Sequence, residues 1–305
     1  MLENTEQASP YTLALILGIR SPFYLTIAQG AQAEADAQGV TLLVDAPEDF
    51  NATLQATIVD KYVAQKVDAL IIAPCDDQEL IAPLQRADAA GIKVITVDAY
   101  IGDGDYVNGP VTFPLAYIGS DNRQGGQMAA RALLQAIGGA GTVFIQSTRP
   151  GLSATDLREA GFKEVLAESN GAVILEGSNY DGGSIQTAAE QTSATIRKYP
   201  SLAGIFSTGD YSTQGVVQGL QQMYMDTRVK VVRFDASAQA IVDLRNGIID
   251  AIVAQLPQEM GKLAVQHALR TLQGEVEGLE KHVKTGLLVI DRANVDTPQA
   301  QSATY

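Results

Sequence analysis

The chain has 305 residues, with 21 Lys plus Arg against 35 Asp plus Glu and a formal net charge of −14 at pH 7. That length suits two domains, each able to bury a core, and the acidic balance excludes nucleic-acid binding through broad electrostatics. The single cysteine, Cys75, excludes an intrachain disulfide framework and a Cys-cluster metal site, and no apolar run approaches the roughly 20 residues that a membrane-spanning helix needs.

Residues 1–10 (MLENTEQASP) are polar and acidic, with no basic or apolar part of a secretory signal. They fit a cytosolic chain, or a secreted one whose signal has been removed. From residue 12 onward, short β-branched runs alternate with amphipathic stretches. Strands are predicted at 12–17, 40–44, 69–73 and 93–97, with helices at 22–38, 53–65 and 79–90 between them. The segment 100–115 is rich in Gly, Asp, Asn and Pro and reads as a loop or hairpin. Further on, strands are predicted at 142–146, 173–175, 204–206, 229–234 and 248–254, and helices at 124–137, 154–168, 184–198 and 211–223. The polar tail after Asp291 is expected to fray. The strand runs lack strict alternation, as parallel strands covered on both faces do. Several helices end near a glycine: Gly39, Gly91, Gly138 and Gly171. The βαβα order defines an α/β fold with parallel sheets.

An internal echo divides the chain. DALIIAPCDD at 68–77 leads through a helix to KVITVDA at 93–99, and LAGIFSTGDYS at 202–212 leads through a helix to KVVRFDA at 230–236. Both second strands end in Asp followed by Ala, at Asp98 and Asp235. Ligands of open α/β sheets bind outside the carboxyl ends of the strands. The expectation is a cleft between two lobes, with one carboxylate from each.

Each candidate residue has a plain reading beside the functional one. Ser21 and Pro22 can start a helix whose Phe23 and Tyr24 only pack, or the two rings can form an aromatic wall. Asp98 and Asp235 can be helix caps, or acceptors for ligand hydroxyls. Arg158, on a helix beginning near Ser153, is a solvated cation or a guanidinium fork for ligand oxygens. Tyr180, after the strand at 173–175, can supply a second ring. Gln255, after the strand at 248–254, carries an amide that both donates and accepts. His267 and His282 read as surface residues. Asp103, Asp105 and Asn108 lack the spacing of an EF-hand. There is no P-loop, G-x-S-x-G or H-E-x-x-H. No catalytic residue, cofactor or metal is called for.

Seven motifs together resemble the ribose-binding protein branch of the periplasmic sugar-binding proteins, relatives of the lac-repressor-type sensor core. They are SPFY (21–24), VITVDA (94–99), IGSDNRQGG (118–126), GLSATDLREAGF (151–162), FSTGD (206–210), VVRFDA (231–236) and VAQLPQEMG (253–261). The resemblance runs from about residue 11 to 291. It implies the type 1 periplasmic-binding fold: α/β, two Rossmann-like lobes with parallel sheets joined by a three-crossover hinge. The lobes would be 1–120 plus 256–285 and 121–255 plus 286–305, closing on the ligand.

By the same resemblance, Ser21, Phe23, Tyr24, Asp98, Arg158, Tyr180, Gly209, Asp235 and Gln255 occupy ligand-binding positions, with the sugar stacked between Tyr24 and Tyr180. Three positions depart from the family. Ala99 stands where it has Arg, while Gly209 and Ser21 stand where it has Asn. Arg20, Asn179 and Thr208 are the nearby groups that could compensate. The implied function is non-enzymatic capture of a monosaccharide or related polyol for an ABC transporter. The implied chain is monomeric, periplasmic or on the extracellular face, and reaches the membrane only through the permease. A receptor for a small polyhydroxylated signal, or the sensing core of a lac-repressor-type regulator, is the alternative; ten residues before the first strand are too few for a helix-turn-helix.

Overall fold

A computed structural model describes residues 11–169, 171–225 and 228–305; the reading of residues 1–10 lies outside them. In chain order the elements begin β1 (Thr12–Ile16), α1 (Pro22–Gln38), β2 (Thr41–Asp45), α2 (Ala52–Gln65), β3 (Ala69–Ile72), α3 (Ile81–Ala89), β4 (Lys93–Val97) and β5 (Ala116–Ser120). There follow α4 (Asn122–Ala136), β6 (Gly141–Ser147), α5 (Ser153–Ala167), β7 (Val173–Tyr180), α6 (Ile185–Lys198), β8 (Leu202–Ser207) and α7 (Asp210–Gln222). The last are β9 (Lys230–Phe234), α8 (Ala238–Arg245), β10 (Ala251–Ala254), α9 (Pro257–Leu272), β11 (His282–Thr285), β12 (Leu288–Asp291) and α10 (Pro298–Ser302).

The chain divides into two compact units. Unit 1 holds the described residues up to Gly119 together with Pro257–Thr285; unit 2 holds Ser120–Leu256 with Gly286–Tyr305. Unit 1 contains a six-stranded sheet in the order β11-β5-β4-β3-β1-β2, and unit 2 one in the order β12-β10-β9-β8-β6-β7. The order is the same apart from numbering. In unit 2 the strands run parallel except β12, antiparallel to β10.

Strand periodicity explains the layers. In β1, Leu13 and Leu15 enter the core beneath α1 and α9, while Ala14 and Ile16 enter the opposite core beneath α2 and α3. Unit 2 repeats this, with one core under α4 and α5 and another under α6, α7 and α8. The outer helices pair closely through glycine. A Cβ on Gly30 would lie 2.0 Å from Gln258 O, and one on Gly126 would lie 2.0 Å from Arg158 O. Gly30 and Gly126 therefore let backbone meet backbone, in α1 against α9 and in α4 against α5.

The structure differs from expectation at three places. The strands β5, β11 and β12 were not predicted. The strand β7 runs through Tyr180 instead of ending at 175. The 100–115 segment is a loop, as expected, and has a core of its own: Tyr106 is buried, its Oη sits 2.9 Å from Thr96 Oγ1 and accepts from Ile101 N at 3.0 Å, and burial pushes its pKa up to about 12. The tail is not frayed, since α10 forms and Val295, Ala300 and Ala303 enter the unit 2 core. Among the described residues no helix is long and apolar enough to cross a membrane.

Candidate functional site

The carboxyl ends of β4 and β9 carry the same local structure. Asp98 follows β4 with φ +63°, and Asp235 follows β9 with φ +76°. Left-handed backbone is uncommon outside glycine, and Asp is among the few residues that tolerate it. Asp98 N donates to Ile118 O at 2.9 Å, and Asp235 N donates to Val253 O at 3.0 Å. Each Asp is thus still paired to the next strand while its backbone turns away from the sheet.

In unit 1 the start of α1 supplies the neighbours of Asp98. Ser21 is the N-cap in extended conformation, its side chain makes no capping bond, and Pro22 opens the helix. Tyr24 Oη donates to Asp98 Oδ2 at 3.0 Å. Phe23 meets Tyr24 edge to face, with centroids 5.2 Å apart. Tyr117 Oη donates to Asp98 O at 3.1 Å, so two phenols hold this residue. Ala99 brings no side-chain donor. Arg20 is exposed, and its charge acts on Asp45.

Unit 2 gathers Arg158, Asp235 and Gln255. Arg158, on α5, is 4% exposed. Its Nε donates to Asn122 Oδ1 at 2.8 Å, its NH1 donates to Thr208 O at 2.7 Å, and its guanidinium lies 3.9 Å from the Phe234 ring centroid. NH1 also stands 3.8 Å from Asp235 Oδ2. On the other side, Gln255 Nε2 donates to Asp235 Oδ1 at 2.7 Å. Gln255 is 2% exposed, and its Oε1 is buried with no hydrogen-bond partner among the described residues. A buried acceptor left open costs free energy unless a ligand or water fills it.

A second polar group adjoins it. Arg233, 2% exposed on β9, donates from NH2 to Asp210 Oδ1 at 2.6 Å and from Nε to Phe234 O at 2.7 Å. Ser237 Oγ and Gln214 Nε2 also donate to Asp210, at 2.8 and 2.9 Å. Burial raises the Asp210 pKa, but the Arg233 charge and these hydrogen bonds outweigh it and the carboxyl is held below its usual range. Gly209 is the extended N-cap of α7, and a Cβ there would meet no atom within 4 Å.

Among the described residues, the Tyr180 side chain hydrogen-bonds to Glu159 and not to Arg158, Asp235 or Gln255. Its Oη donates to Glu159 Oε2 at 3.2 Å, Ser178 Oγ donates to the same carboxylate, and Gln191 holds its carbonyl. Asn179 donates to Thr195 Oγ1 on α6, and Thr208 serves through its carbonyl on Arg158. Sequence reasoning missed Asn122, Arg233 and Ser237. The signal for Arg233 was available: a charge inside the apolar run VVRFD must find a partner when the strand is buried.

Within each unit the described donors and acceptors suit hydroxyl groups. In unit 1 the Asp98 carboxylate accepts; in unit 2 the Asp235 carboxylate and the Gln255 amide accept and the buried guanidinium of Arg158 donates. Residues 15–276 match the periplasmic binding protein domain. The chain belongs to that family.

This binding protein is 27% identical over 274 residues to the ribose import binding protein RbsB of Bacillus subtilis, spanning 89% of the present chain and 85% of that relative. It is 38% identical to an ABC transporter solute-binding protein from Agrobacterium vitis bound with alpha-D-tagatopyranose, with a TM-score of 0.92 over 97% of this chain and 99% of that one. A second A. vitis solute-binding protein, with bound D-fucose, matches at 26% identity and a TM-score of 0.87 over 96% and 100%. The α/β type 1 periplasmic-binding fold that the motifs implied is the one observed. The family consists of transporter substrate-binding proteins rather than enzymes.

Proposed function

We propose that this protein captures a monosaccharide or related polyol for an ABC importer, binding without turnover. The observation that carries the reading is the buried series Arg158, Asp235 and Gln255, ending in an amide oxygen that lacks a donor. A sugar hydroxyl donates to such an oxygen and accepts from the guanidinium, so one ligand type satisfies both. Ser21, Phe23, Tyr24 and Asp98 in unit 1, and Arg158, Gly209, Asp235 and Gln255 in unit 2, are the proposed ligand residues. Tyr180, an exposed ring whose phenol is on Glu159, is proposed with them.

Ala99 and Gly209 remove a guanidinium and an amide that the resemblance leads one to expect. The open space at Gly209 supports a ligand with a bulkier or differently placed substituent than ribopyranose. Hinge closure around the ligand, a monomeric state, a periplasmic location and delivery to a permease complete the proposal. An affinity near micromolar corresponds to about −8 kcal/mol.

The test is a thermal-shift and calorimetric screen of D-tagatose, D-fucose, D-ribose, D-allose and the common aldohexoses, ketoses and polyols. The protein is first unfolded and refolded to free any trapped ligand. One sugar raising Tm by several degrees and binding with 1:1 stoichiometry supports the reading; no response to any of them overturns it. Small-angle scattering checks closure, through a smaller radius of gyration on saturation.

A further inference from the structure

Beyond α10 the chain returns to the loop that carries Asp235. Thr297 caps α10, and Ala300 and Ala303 anchor it in the unit 2 core. Tyr305 N then donates to Ala236 O at 3.1 Å, and Ala238 N donates to Tyr305 O at 2.9 Å. These two backbone bonds bracket Ser237, whose hydroxyl is on Asp210. Tyr305 is therefore fixed beside the strand end that presents Asp235, and part of it remains exposed.

We propose that Tyr305 is a ligand-binding and specificity-determining residue, its ring forming a wall of the sugar site beside Asp235. This rests on the sugar-capture reading above and adds a residue that the sequence motifs did not mark. The charged groups acting on its phenol are Asp235, Arg233, Asp210 and Arg158. Two of them belong to the proposed hydroxyl-binding set, and the other two form the ion pair next to it. Gln255, whose Nε2 donates to Asp235 Oδ1 at 2.7 Å, has a buried Oε1 with no partner among the described residues, and this points to a ligand beside Asp235.

The chemistry suits a sugar. A flat ring packs against C–H groups while the adjoining carboxylate, amide and guanidinium take the hydroxyls. Burial, followed by the Asp235 charge, raises the phenol pKa well above its ordinary value, so the group stays a neutral hydroxyl at physiological pH. The phenol of Tyr180, the ring expected for unit 2, is on Glu159, and no described hydrogen bond joins its side chain to Asp235, Arg158 or Gln255. Tyr305 supplies an aromatic surface where the hydroxyl-binding groups are.

The test compares wild type, Tyr305→Phe, Tyr305→Ala and Tyr180→Ala by calorimetry against D-tagatose, D-fucose, D-ribose and D-allose. Tyr305→Ala is expected to weaken the preferred sugar at least thirtyfold and to change the order of preference. Tyr305→Phe should weaken it threefold to tenfold, and Tyr180→Ala less than fivefold. Should Tyr305→Ala fail to fold, wild-type protein carrying 3-fluorotyrosine at 305 gives the answer, through a shift of its fluorine resonance on saturation with the preferred sugar. If wild type binds a sugar while Tyr305→Ala keeps the same affinity and order of preference, or the resonance does not move, this inference is overturned and sugar capture stands. If wild type binds none of the sugars, sugar capture fails and the role of Tyr305 fails with it.

Discussion

The phenol of Tyr24 donates to Asp98 Oδ2 at 3.0 Å, joining the first turn of α1 to the end of β4 across 74 residues of sequence. A carboxylate already held in one rotamer loses less freedom when a ligand arrives. Tyr24→Phe keeps the ring and deletes the donor. Calorimetry with the sugar found by the screen should show affinity falling by about 1 kcal/mol, the usual net worth of one hydrogen bond, while Tm moves little. Unchanged affinity would show that the phenol does not orient Asp98 for binding.

Asn122 is the acceptor for the Nε of Arg158, and both side chains are buried. Asn122→Ala leaves that N–H unsatisfied, at a cost of about 1–3 kcal/mol. Urea unfolding should report the loss as a lower midpoint, with sugar affinity falling alongside it. Asn122→Asp restores an acceptor of similar size and should recover most of the stability. Equal damage from both variants would indicate that packing, rather than the hydrogen bond, sets the cost.

Two glycines should respond oppositely to the same change. A Cβ on Gly126 would lie 2.0 Å from Arg158 O, so Gly126→Ala must push α5 away from α4. Overpacking of this kind costs about 1–3 kcal/mol or more. Gly209 is extended at φ −167° with no atom within 4 Å of a built Cβ, so Gly209→Ala should leave Tm within a degree or two. Its methyl group enters space assigned to the ligand, and sugar affinity should drop severalfold. A Gly209→Ala protein with wild-type affinity would remove Gly209 from the site.

The Asp210 carboxyl titrates below its reference value of 3.8 in the folded chain. A depressed folded pKa contributes stability that is present above the unfolded value and lost as pH falls through the folded one. The Asp210 contribution should therefore be complete above pH about 4–5 and disappear on further acidification. Asp210→Asn leaves the buried Arg233 uncompensated and should cost about 2 kcal/mol at neutral pH. The difference in Tm between wild type and variant should shrink below pH 4; a constant difference across that range would separate Asp210 from the acid sensitivity.

The order of layers was legible because it rests on local pattern. The apolar runs around β1, β3, β4, β8 and β9 carry it, and so do the glycines that end the helices. The paired FDA and VDA sequences marked two equivalent strand ends, and the structure gives both Asp residues left-handed backbone. The strands β11 and β12 were harder to see. They are four residues each and become strands by pairing with β5 and β10 from other parts of the chain. The tail misled for a related reason: PQAQS looks soluble, and its order comes from Ala300 and Ala303 finding a core built by β9 and α8.

By itself, then, the sequence determined the α/β alternation, the internal duplication and the residue types at the strand ends. These follow from side-chain periodicity and from turn chemistry, both of which act over a few residues. Only the tertiary structure decided which polar groups meet. Arg158 finds Asn122 36 residues away and Thr208 50 residues away, and the backbone of Tyr305 pairs with Ala236 and Ala238, next to Asp235. Such partnerships are set by strand order and by how closely α4 and α5 approach, which depend on the whole packed unit and not on any one segment of it.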